Sequence, residues 1–268
     1  MKILLTVGHS ILKSGACTSA DGRPYGGVLE YSYNKGIVNR IAEYLRTAEH
    51  AVDVLICPEL QFSKSTDEKT YKLERANSGG YDLVAELHLN ASKLHNARGC
   101  EVLYTSAEGK KVAQRISDQL ATAFKNRGIS DRDNLYMLTK TNPVAVMIES
   151  FFCDSSADCE IAEKTDVALL IATGIHGAEI ATDSGANGAE ENESFLYRVQ
   201  TGAFRSRDNA DRLRADLVGK GYEAFVAVAD VDGILYRVQV GAFQNKENAD
   251  KMKSRLQADG FDAIIVRA

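Results

Sequence analysis

Apolar positions along this chain follow two kinds of spacing. Continuous apolar runs at 2–8, 51–57, 81–88, 100–105, 135–139 and 144–150 have the length and the Val, Ile and Leu content of buried strands. Between them, apolar residues recur three and four apart. That spacing predicts an amphipathic helix from about Val28 to Ala48 and further helices near 66–78, 108–127 and 158–181. A glycine-rich loop separates the first strand from the first helix. Such alternation predicts an α/β fold, a mixed and mostly parallel sheet with helices on both faces.

The pattern stops near residue 181. Residues 182–194, including Asp183-Ser-Gly-Ala-Asn-Gly-Ala-Glu-Glu-Asn-Glu-Ser194, have no apolar period and read as a hydrated linker. After the linker the chain repeats itself: Tyr197-Arg-Val-Gln-Thr-Gly-Ala-Phe204 returns as Tyr236-Arg-Val-Gln-Val-Gly-Ala-Phe243, a period of 39 residues with 14 of 33 aligned positions identical. Each unit reads as strand, helix, glycine, strand. Leu213 and Leu217, then Met252 and Leu256, fall four apart on one helical face, and Gly221 and Gly260 stand where helix C-caps belong. One such unit cannot bury its own apolar face. The two are expected to form one small α+β domain, a ferredoxin-like βαββαβ with a four-stranded sheet and two helices. The expected domains are therefore 1–181 and 195–268, joined by 182–194.

Composition narrows the function. A net charge of -5, with both parts near neutral, gives no basic footprint for nucleic acid. No apolar run approaches the roughly 18 residues of a membrane span. The opening MKILLTVGHS is too short for a secretory signal and reads as a strand. The expectation is synthesis in the cytoplasm without a signal peptide, so that any extracellular substrate is met only after release. The five cysteines, Cys17, Cys57, Cys100, Cys153 and Cys159, lack metal-type spacing and are expected to be reduced thiols, although Cys153 and Cys159 are near enough in sequence to pair.

The candidate chemistry lies at strand ends. Three runs finish on a group suited to metal or proton chemistry: Lys2 to His9, Tyr81 to His88 and Val144 to Glu149. In open α/β sheets, ligands bind outside the carboxyl ends of the strands. Of the five histidines, His50 is expected to be solvated at a helix end, His95 to lie in a polar loop and His176 within a helix. His9 and His88 each follow a buried-looking strand and precede small or polar residues. A catalytic zinc takes three N/O ligands and leaves a position for water. Glu30, early in the helix after the first strand, is the candidate third ligand, although an acidic residue also suits that position through the helix dipole. Glu149, among apolar neighbours, can shuttle a proton. Glu86, two residues before His88 on the same face, is the structural alternative for a strand carboxylate.

The set Thr6-Val-Gly-His-Ser10, Glu30, Arg75-Ala-Asn77, Glu86-Leu-His-Leu-Asn-Ala-Ser92 and Ile148-Glu-Ser-Phe-Phe152 resembles the zinc-dependent N-acetylmuramoyl-L-alanine amidases of the type 3 family, in particular the catalytic domains of clostridial phage endolysins. The likeness covers residues 1–181. It implies Zn2+ held by His9, Glu30 and His88, with Glu149 as catalytic acid/base. The first motif departs from many relatives, which have Gly-His-Gly where this chain has Gly-His-Ser, and that bears on the loop after His9. The repeat resembles the sporulation-related repeat, or SPOR, domain, whose relatives bind peptidoglycan, preferring glycan strands stripped of stem peptides.

Strand alternation puts Gln200 and Gln239 on the face expected to meet sugar, with Val199 and Thr201 opposite Gln200; the alternative is that these glutamines merely cover a solvated face. Together the resemblances imply a peptidoglycan hydrolase that cuts the bond between N-acetylmuramic acid and the L-alanine of the stem peptide. Its partners would be glycan strands and stem peptides, with no nucleic acid or membrane. Two rival readings remain: a zinc peptidase or carboxypeptidase acting within the stem peptide, and a wall-binding protein without activity.

Overall fold

A computed structural model describes residues 1–181, 197–230, 234–243 and 246–267, so the expected linker lies outside the described residues. The chain divides into two compact units, Met1–Ser184 and Gly185–Ala268. In the first, six strands run β1 (Lys2–Val7), β2 (Ala51–Leu55), β3 (Leu83–Asn90), β4 (Cys100–Tyr104), β5 (Asn126–Asp131) and β6 (Val144–Phe152). Their order in the sheet is β2-β1-β3-β6-β4-β5. β1, β2, β3 and β6 are parallel, whereas β4 pairs antiparallel with β6 and parallel with β5.

β1 is buried from Ile3 to Val7 because it is covered on both faces. Ile3, Leu5 and Val7 join the larger core, beneath α1 (Glu30–Thr47), α3 (Ala107–Leu120) and α6 (Val167–His176). Leu4 points the other way, into a smaller cluster with Ala76 of α2 (Ser65–Ser78) and with Met137 and Leu138 of α4 (Tyr136–Thr139). Tyr31, Val38, Ile41 and Leu45 recur at helical spacing along the buried side of α1. All five cysteines are free. No helix among the described residues is long and apolar enough to cross a membrane.

Three expected elements differ. Residues 135–139 form the single turn α4 rather than a strand, because Met137 and Leu138 are adjacent and both bury against the sheet. The fifth strand is instead Asn126–Asp131, a polar edge strand without alternation, and the helix expected to reach 127 ends at Leu120. The helix expected over 158–181 is two, α5 (Ser156–Lys164) and α6. Asp166 makes the break: its Oδ1 accepts from Leu169 N at 3.1 Å as the N-cap of α6, while Oδ2 accepts from Arg40 and Tyr44 of α1.

In the second unit, β7 (Tyr197–Phe204), α7 (Arg207–Gly219), β8 (Phe225–Asp230), β9 (Ile234–Phe243), α8 (Lys246–Ala258) and β10 (Ile264–Arg267) form an antiparallel sheet of order β10-β7-β9-β8 with two helices. Val199, Val238 and Val240 face Ala210, Leu217, Ala249 and Leu256 of those helices. Gly221 and Gly260 take the left-handed conformation just past the helix ends, as their positions in the repeat imply.

Asp166→Ala removes a cap and an ion pair together and is expected to cost about 1–2 kcal/mol in urea denaturation. Asp166→Asn keeps the capping oxygen and is expected to lose less; equal losses would remove the cap from the explanation.

Candidate metal centre and active site

Parallel register decides what meets at the carboxyl edge of the sheet. β3 and β6 pair so that His88 stands opposite Glu149, and on its other side Glu149 faces Glu101 of β4. Neither His88 nor Glu149 terminates its strand: β3 runs on to Asn90 and β6 to Phe152, where Phe151 and Phe152 bury in the core. The expected strand-end placement is thus corrected to a placement within the ladder.

His9 does leave its strand. Gly8 N donates to Leu87 O at 2.9 Å, and His9 then adopts φ 66°, left-handed for a residue with a side chain. Gly8 is required by contact, since a Cβ there would sit 2.2 Å from His88 Cε1. Glu30 opens α1 and is 3% exposed. Its Oε1 lies 2.9 Å from His88 Nδ1 and 3.3 Å from His9 Nε2 and accepts from Leu89 N, while Oε2 accepts from Ala20 N at 3.0 Å. The two imidazoles meet edge to face, with centroids 4.9 Å apart.

One ligand-type atom from each of His9, Glu30 and His88 lies within 4.8 Å of the others. Two imidazoles and one carboxylate are a donor set that such an ion accepts, so the residues fit a metal.

The surroundings add further carboxylates. Buried Glu86 pairs with buried Lys72 of α2 and lies 3.4 Å from His88 Nε2. Glu68, one turn before Lys72, accepts from Ser10 Oγ and from Thr18 Oγ1. His9, Glu68, Lys72, Glu86, His88 and Glu149 all line one cleft of about 590 Å³, whose apolar wall includes Leu135 and Tyr136.

Burial alone would raise the Glu30 carboxyl, but hydrogen bonds from His88 and His9 hold it well below the usual range. Burial likewise opposes the ionised Glu86, and Lys72, then His88, hold it low. Glu149 has no cation contact strong enough to do this. Burial pushes it up to about 7, against the pull of His88 and with neighbouring carboxylates adding. Its Oε2 is buried without a hydrogen-bond partner. For His88, burial disfavours the charge, but the bonds to Glu30 and Glu86 raise it to about 10. This edge of the sheet attracts a cation.

The other histidines lie elsewhere. His50 is partly exposed just past α1, and its Nε2 lies 3.0 Å from His176 Nδ1. His95 stacks on Tyr25 and contacts Asp154 Oδ2 at 2.7 Å. Glu68 and Lys72 went unseen in the sequence, because four-apart charges on a polar helix look the same whether solvated or buried.

In the repeat, Gln200 and Gln239 face one another across β7 and β9 and are only 8% and 5% exposed. They share the helix-free face, as alternation requires, but do not project from it. Ile264 pairs with Gln200 and Phe225 with Gln239, so one row across the sheet reads Ile264, Gln200, Gln239, Phe225. Its outer members are 55% and 47% exposed. Exposure thus falls on the edge residues and not on the glutamines, which sit in the two central strands beside bulges.

Comparison with known proteins gives the same architecture. The family described as N-acetylmuramoyl-L-alanine amidase matches residues 3–179, and the SPOR domain matches residues 193–267. The catalytic domain of CD27L endolysin, described as targeting Clostridia Difficile, is 52% identical with a TM-score of 0.65, covering 68% of this chain and 99% of that one. N-acetylmuramoyl-L-alanine amidase CwlM of Bacillus licheniformis is 28% identical over 235 residues, 86% of each chain. An uncharacterized protein of Clostridium perfringens is 29% identical over 81% of this chain, and the match spans 65% of that relative's length.

A group whose pKa is raised on folding stabilises fully below its unfolded value, and that stability is lost as pH climbs through the folded value. For Glu149 this window runs from 4.5 to about 7, and for His88 from 6.5 to about 10. Depressed Glu30 and Glu86 act oppositely, stabilising above 4.5 and ceasing to do so on acidification below it. Chelator-treated protein is therefore expected to melt at progressively lower temperature as pH rises from 6.5 to 10. A divalent cation is expected to flatten that slope, and calorimetry showing no slope without cation would contradict this charge balance.

Proposed function

The chain belongs to the N-acetylmuramoyl-L-alanine amidase family, and on that footing we propose that it is a zinc-dependent peptidoglycan hydrolase. It cleaves the amide between the lactyl group of N-acetylmuramic acid and the L-alanine of the stem peptide. The observation that carries this reading is the group His9, Glu30 and His88, with part-buried Glu149 facing His88 across the β3–β6 ladder. His9, Glu30 and His88 hold the ion. What zinc supplies when bound is Lewis acidity, which polarises the scissile carbonyl and brings the pKa of water toward about 7.

Glu149 accepts the proton of the attacking water and delivers it to the departing amine nitrogen. A carboxyl with no partner on Oε2 and a pKa near neutrality suits both halves of that transfer. Hydrogen bonds from Ala20 N and Leu89 N keep Glu30 facing the histidines. Leu135 and Tyr136 form a wall against which the substrate is held away from water.

The SPOR domain tethers the enzyme to the wall and raises its concentration near the bonds it cuts. Sugar contact falls on the row from Ile264 to Phe225. Its exposed side chains offer apolar surface to a sugar face, and Gln200 and Gln239 lie between them on the floor.

Purified peptidoglycan digested with the protein is expected to yield free stem peptides beginning at L-alanine, lost on chelation and restored by zinc, as read by mass spectrometry. New termini inside the stem would indicate a peptidase, and intact glycopeptides with wall-bound protein would indicate a binder without activity. His88→Ala is expected to lose both zinc and cleavage. Glu149→Gln should keep zinc while turnover drops by about 10²–10⁴-fold; full zinc occupancy in His88→Ala would remove His88 from the site.

A further inference from the structure

Beneath the histidines, α2 delivers one cation into the sheet. Lys72 is 3% exposed and forms an ion pair with Glu86, which is 2% exposed. The same ammonium donates to Val7 O at 3.4 Å, at the last residue of β1 before the Gly8–His9 turn. Glu86 presents its other oxygen, Oε2, to His88 Nε2 at 3.4 Å. The opposite ring nitrogen, Nδ1, faces Glu30 at 2.9 Å. Gly8 closes on the ring from a third side, where a Cβ would lie within 2.6 Å of three ring atoms.

We propose that Lys72 and Glu86 are positioning residues that fix His88 with its Nε2 proton given to Glu86 and its Nδ1 directed at the metal ion, while Lys72 braces the strand that leads to His9. The proposal rests on the reading of His9, Glu30 and His88 as ligands. The physical case comes from what each group can do. An imidazole binds a metal through one nitrogen, and the hydrogen bond made by the other nitrogen selects which. Glu86 is an acceptor-only carboxylate when ionised, and Lys72 compensates its charge in a place where an unpaired carboxylate would take up a proton. Removing the ammonium therefore reaches His88 through Glu86 without touching the ring.

Val7 O adds a second route, because one side chain then touches the supports of both histidines. Glu68 strengthens the same arrangement from one turn earlier on α2. It holds Ser10, the residue immediately after the left-handed His9. The helix thus grips the His9 turn from its two sides, at Val7 and at Ser10.

Zinc affinity measured by competition with a chromophoric chelator tests the pair on the full-length protein. Lys72→Met and Glu86→Gln are expected to weaken zinc binding about 10–100-fold, and Lys72→Arg, which keeps the charge, to retain most of it. Substitution with cadmium-113 and labelling of the histidines with nitrogen-15 reads the ring directly in the unmutated protein. Metal–nitrogen coupling is expected at His88 Nδ1, with a slowly exchanging proton on Nε2.

Coupling at Nε2 would overturn the proposal even if the variants fail to fold, and so would wild-type zinc affinity in a folded Lys72→Met. Failure of the unmutated protein to bind zinc would instead remove the metal site itself and the proposal with it.

Discussion

Three carboxylates crowd the carboxyl edge of the β1–β3–β6 ladder around the imidazole of His88, with Lys72 beside one of them. Glu86 and Glu149 come to one place because β3 and β6 share a parallel register, Glu30 joins them from the first turn of α1, and among the described residues Lys72 is the one lysine or arginine paired directly with any of the three. Carboxylates removed from water stay ionised only when hydrogen bonds or cations stand in for the lost hydration. Backbone donors serve Glu30, a buried ammonium serves Glu86, and Glu149 remains with an orphan oxygen. The strained turn at His9, the bare Cα of Gly8 and the polar inner face of α2 are the local costs of holding that arrangement together.

What could be read from the sequence follows from burial. Strands β1, β3 and β6 are enclosed on both faces, so their side chains form continuous apolar runs that no helix of that length would show. His9 and His88 stand out in the sequence because each follows or interrupts such a run, whereas Glu30 is a candidate only through its place at the start of the helix after the first strand. The features that escaped are those where tertiary contact overrides local pattern. Asn-Arg-Gly-Ile-Ser-Asp at 126–131 is a strand because β4 offers it an edge, with nothing in its own composition to say so. The apolar cluster around Met137 suits a strand equally well until the sheet presents a flat surface to it. Asp166 carries a capping signal, but it lies inside an otherwise continuous helical pattern.

The repeat shows the complementary limit. Duplication made its βαβ units and their helix-facing valines visible, and alternation assigned the glutamines to the correct face. Alternation does not report exposure. In the row across that sheet, the two glutamines of the inner strands are flanked by the side chains of the outer ones, and the residues that reach solvent are Ile264 and Phe225. Ile264 and Phe225 carried no signal as surface residues because side chains of that kind are read as core.

That row is also a palindrome. Position 225 of the first unit corresponds to 264 of the second, and Gln200 to Gln239, so apolar edge, amide, amide, apolar edge recurs from either side. A pseudo-twofold axis passes between β7 and β9. Glycan chains have a reducing and a non-reducing end, yet a strand laid along this row meets the same sequence of side chains whichever end leads. The row itself carries no arrow, and any directionality of engagement must come from residues off the axis.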